Sequence, residues 1–95
     1  MKNGTFLTMA KHPRYVEGYQ GSLEELARAV GNMTYDQTAA FIEKLADDLK
    51  RQSVSDSNRG RNLLATKVRK ATDELYKAAK GMDLAWKVCE PYMKD

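Results

Sequence analysis

From Leu64 to Cys89 an apolar residue recurs at alternating intervals of four and three: Leu64, Val68, Ala71, Leu75, Ala78, Met82, Ala85 and Cys89. An α-helix returns to the same face about every 3.6 residues, so these side chains form one continuous seam. Most residues between them are polar or charged, as an amphipathic helix requires. A helix this long must have its apolar side covered, so the rest of the chain is read as what covers it.

The remaining composition agrees with an all-α chain. Of 95 residues, 42% are hydrophobic and 31% charged, a balance that suits a folded helical protein rather than a disordered one. There are only two prolines, and β-branched residues are scarce in the second half, which favours helix over sheet. The expected architecture is one all-helical domain over 1–95, a small bundle or extended helical hairpin with an irregular N-terminal arm.

In chain order, residues 1–21 lack a helical period and are broken by Gly4, Pro13, Gly18 and Gly21. Phe6, Leu7, Met9, Tyr15, Val16 and Tyr19 make this arm apolar enough for its later part to lie on the helices, with its first residues loose. A short helix is expected over 22–31. Ser22-Leu23-Glu24-Glu25 reads as a capping box and Gly31 as a terminating glycine. A second helix is expected over 34–52, with Thr34 and Gln37 as its box and Thr38, Phe41, Ile42, Leu45 and Leu49 as its apolar side. Residues 52–62 are the least apolar part of the chain and read as a connector. The long helix is expected over 57–90, continuous through Gly81 because the seam keeps its phase there, and ending before Pro91.

These lengths differ. About 18 residues span about 27 Å and about 33 residues about 50 Å, so the second helix covers only the first half of the third. From Tyr76 onward the apolar arc widens, because Leu84 and Val88 point to one side of the seam. Helix one, the arm or a second copy of the chain could cover this half, and the short first helix is too small to do so alone. The expected contact residues for self-association, or for another helical partner, are therefore Leu75, Met82, Leu84, Trp86, Val88 and Cys89.

Charge suggests a second function. Residues 1–48 sum to −2 and residues 49–95 to +5. Arg59, Arg61, Arg69, Lys70, Lys77, Lys80 and Lys87 would form a basic connector and helix back able to follow nucleic-acid phosphates. The simpler explanation is an acidic helix beside a basic one in the same fold, its outer side solvated. A DNA-binding helix-turn-helix fits the Ala27 and Gly31 spacing, but the acidic residues Asp36, Glu43, Asp47 and Asp48 oppose groove binding.

Chemistry has little to build on. His12 and Cys89 are the only histidine and cysteine, with no metal-ligand spacing around them and no disulfide available. No phosphate loop, nucleophile elbow or metalloprotease motif is present. The sequence therefore predicts no enzyme, no cofactor and no metal. The first thirty residues hold no apolar run of signal-peptide or membrane-span length, so a reducing cytoplasm is expected and the sequons at Asn3 and Asn32 should stay unmodified. The function expected is helix-mediated protein–protein interaction by a non-catalytic protein, with nucleic-acid binding as the alternative.

Overall fold

The computed structural model describes residues 12–93. The expectations for Phe6, Leu7, Met9, the first residues of the arm and the Asn3 sequon fall outside them. Three α-helices follow in order: α1 Leu23–Gly31, α2 Tyr35–Asn58 and α3 Asn62–Cys89, with a 3-10 turn at Glu90–Tyr92. No strand occurs among the described residues. The chain is all-α, a helical hairpin of α2 and α3 with a long C-terminal helix.

Ser22 starts α1 by the expected reciprocal cap. Its Oγ accepts from the Glu25 amide at 3.0 Å, and its own amide donates to Glu25 Oε1 at 2.8 Å. Two other local expectations fail. Gly31 remains helical, and only Gly18 and Gly60 among the described residues have positive φ. Thr34 makes no side-chain cap on α2.

The larger correction concerns the connector. α2 does not stop at 52 but continues through the serine-rich stretch to Asn58, and α3 starts at Asn62 rather than 57. Serine is a moderate helix former, and nothing before Gly60 forces the backbone out of the helix. Gly60 does so, at φ +80°. Its amide donates to the Ser57 carbonyl at 3.0 Å and the Arg61 amide to the Asp56 carbonyl at 2.9 Å, the paired bonds of a Schellman termination. The two helices are thus 24 and 28 residues long. The length mismatch predicted from sequence disappears, and α2 reaches far enough to bring Tyr35 beside Trp86.

The phase of the seam also differs from expectation. The buried line on α3 is Ala65, Thr72 and Ala79, each one residue beyond the predicted Leu64, Ala71 and Ala78. On α2 the matching line is Ala39, Ala46 and Ser53, again seven residues apart. Small side chains at these positions let the helix axes approach closely, and the larger Val68, Leu75, Met82, Ile42 and Leu49 fill in beside them, half-buried. The two hydroxyls on these lines are satisfied. Ser53 Oγ donates to the Lys50 carbonyl at 2.7 Å, and Thr72 Oγ1 to the Arg69 carbonyl at 2.6 Å.

α3 runs unbroken through Gly81, as its constant phase predicted. The arm does not pack as expected: every residue from His12 to Gly21 is exposed, including Tyr15, Val16 and Tyr19. α1 meets α2 alone, where Thr38 Oγ1 donates to the Val30 carbonyl at 2.8 Å, and none of its residues is buried. The result is a flat molecule of 52 × 30 × 14 Å. Its radius of gyration is 16.9 Å, against about 12 Å for a compact chain of this length.

Candidate interaction surface

At 100° per residue, the flanks of the α2–α3 seam differ sharply. One flank is polar. Arg69 Nε donates to Ser53 Oγ at 3.4 Å, and the Tyr76 hydroxyl donates to the Asp47 carboxylate, fixing the register of the hairpin. That bond, together with desolvation and the negative charges of Asp47, Glu43 and Asp73, raises the Tyr76 pKa above its ordinary value.

The other flank is apolar and open. It carries Leu64, Ala71 and Ala78 on α3 and Phe41 and Leu45 on α2. Leu64 is 48% exposed, Phe41 42% and Leu45 41%, whereas Ala46 and Thr72 beside them are at 0%. Among the described helices α3 packs only against α2 and the 3-10 turn that follows it, so no helix lies over this flank of α3. At its far end α1 leans over α2, and Leu23, Leu26, Ala27 and Val30 with Phe41 and Ile42 line an apolar cleft between them.

The contact residues expected from sequence are divided by this arrangement. Leu75 and Met82 are half-buried along the hairpin. Trp86 and Cys89 are also half-buried and line a depression with Gly31–Tyr35 and Met93. Leu84 and Val88 are largely exposed on the outer side of α3, away from both. Phe41, Leu45, Leu64 and Leu23 were missed as contact candidates. The available signal was on α2, where Phe41 and Leu45 widen the apolar arc beyond what one packing helix needs.

Folding also redistributes charge. The hairpin brings residues 50–70 to its turn end, with seven basic side chains and one acidic. The rest of the three helices and their caps, 22–49 and 71–90, carry five basic and ten acidic. The long axis is therefore strongly polarised, basic at the turn and acidic at the open end. Of the predicted basic set, Arg59, Arg61 and Arg69 lie in or near the turn, Lys70 and Lys77 are exposed on the outer side of α3, and Lys80 and Lys87 are exposed on its polar flank. Arg61 pairs with Asp56 at 3.5 Å and Lys77 with Glu74 at 3.6 Å.

His12 and Cys89 are not brought together. His12 lies beside Arg51, Arg59 and Arg61 at the turn, and Cys89 beside Trp86 at the other end. Among the described residues no group of three or more His, Cys, Asp or Glu could hold a metal ion. Asp36 and Asp48 titrate below the usual carboxylate value, the first held by the Thr34 hydroxyl and the second by Arg51 and Gln52. No described helix is long and apolar enough to cross a membrane. No protein-family model matches the chain, and no curated protein or solved structure matches it.

Proposed function

We propose that this chain is a non-catalytic protein that acts by helix-mediated protein–protein association, and that it associates with itself. The observation that carries the reading is the open apolar flank of α3, a helix with one helical partner and uncovered leucine and alanine side chains. Domains are ordinarily built from packed layers around a shared core. Here the fully buried side chains are small: Ala39, Ala46, Ala65 and Ala79 with Thr38, Ser53 and Thr72. Such an interior offers little hydrophobic stabilisation, and association is one way a small domain buries more apolar surface. Light scattering coupled to size-exclusion chromatography at micromolar concentration tests it. A dimer or higher species is expected, and a monomer throughout would refute self-association.

The second reading, nucleic-acid binding, is favoured by the basic turn end and the exposed lysines along α3. It predicts oligonucleotide binding that weakens steeply as salt rises. Absence of binding at low salt would dismiss it.

A further inference from the structure

We infer that a second copy of this chain docks on the open flank with its long axis reversed, the basic turn end of each copy lying over the acidic open end of the other. The inference rests on the self-association proposed above and adds the surface and the orientation.

Two independent features select this occupant. The first is apolar continuity. Leu64 and Ala71 occupy the turn half of the flank, Leu45 its middle, and Phe41 with Leu23 and Leu26 the cleft at the other end. A reversed copy brings its own Leu64 towards that cleft, and symmetry repeats the contact at the opposite end. An isologous two-fold pairing of this kind closes on itself and leaves no free apolar end. The flank is about 32 Å long from Leu64 to Ala85 at 1.5 Å per residue. It is about 20 Å wide across two helices packed at 8–10 Å. Two copies would then bury about 1,200 Å², the lower bound of a specific stable interface.

The second feature is charge. A parallel pair would place two basic turn ends together and two acidic open ends together. Reversal opposes them instead: Lys67 lies one turn from Leu64 on the basic end, and Glu24 belongs to the α1 helix that lines the cleft at the acidic end. Like-charge juxtaposition across an interface is costly, so polarity along the axis specifies orientation. A nucleic acid would use the basic end alone and leave the apolar flank and the acidic end unexplained.

The test uses the full chain with Cys89→Ala, so that introduced thiols are unique. Phe41→Cys and Leu64→Cys are made separately, both at exposed positions that tolerate a smaller side chain. The two proteins are allowed to exchange and are treated with a short bis-maleimide. The reversed arrangement predicts mixed 41–64 cross-links in several-fold excess over 41–41 and 64–64. Predominant 64–64 cross-links, or none from a protein that light scattering shows to be dimeric, overturn the orientation while leaving self-association intact. A monomeric parent chain overturns both. As a second measurement, Lys67→Glu is expected to weaken the dimer several-fold at low salt, with a smaller effect at high salt. If this change leaves the dimer unaltered but abolishes binding of a fluorescent single-stranded oligonucleotide, the basic end serves nucleic acid and the inference fails.

Discussion

Two lines of side chains run along α3 one residue apart: Ala65, Thr72, Ala79 and Leu64, Ala71, Ala78. The second is the more hydrophobic, yet the first is buried and the second open to solvent. Hydrophobicity along one helix therefore does not decide which line closes. The partner does. α2 presents Ala39, Ala46 and Ser53 at matching intervals, and small residues on both sides allow the closest approach of the two backbones. Leu64 lies beside the contact because its bulk would hold the helices apart.

The largest test of this contrast is a pair of substitutions. Ala46→Leu forces a larger side chain into the closed line and should cost about 1–3 kcal/mol or more, seen as a lower denaturation midpoint. Ala78→Leu in the open line should change hairpin stability by less than about 0.5 kcal/mol. Equal effects would mean that the two lines are packed alike. Ser22→Ala removes the α1 cap and should cost about 1 kcal/mol, read as faster amide exchange at Glu25 and Leu26 while α3 amides are unchanged. Faster exchange throughout α3 as well would show instead that α1 is coupled to the hairpin. Gly81→Ala should stabilise α3 by about 0.5–1 kcal/mol, because the added methyl meets nothing within 4 Å. A loss of stability there would place an unrecognised neighbour over Gly81.

The smallest effect lies on the polar flank. The Tyr76 pKa is raised in the folded chain, so this group's contribution to stability is complete below the ordinary tyrosine range and is lost as pH rises through the folded value. Asp47→Asn should move the Tyr76 ionisation midpoint down towards the ordinary value, measured by phenolate absorbance against Tyr76→Phe. An unchanged midpoint would mean that Asp47 does not hold the hydroxyl.

Much of the fold was legible because helical period and punctuation are local properties. The Ser22 cap, the all-α class and the continuity of α3 through Gly81 follow from residues a few positions apart. The phase of the seam did not, since Leu64 and Ala65 both suit a helix interior and only the identity of the facing side chains separates them. The connector was misplaced because serine and asparagine are common in loops, although Gly60 alone stops α2. The open flank was obscured by the same error. An α2 ending at 52 places the uncovered surface near Trp86 and Cys89, whereas an α2 reaching Asn58 leaves it along Leu64 to Ala78.

The turn at Gly60 has a kinetic consequence. In a hairpin closed at one end, the sequence distance across the contact grows steadily, from 16 residues at Arg69–Ser53 to 29 at Tyr76–Asp47. Loop closure becomes more costly with separation, so pairing should start beside Gly60 and advance outward. Trp86, opposite Tyr35, is then the last to be enclosed. In a rapid-mixing experiment its fluorescence should trail the helical signal, making the chain's single tryptophan a clock for the final step of closure.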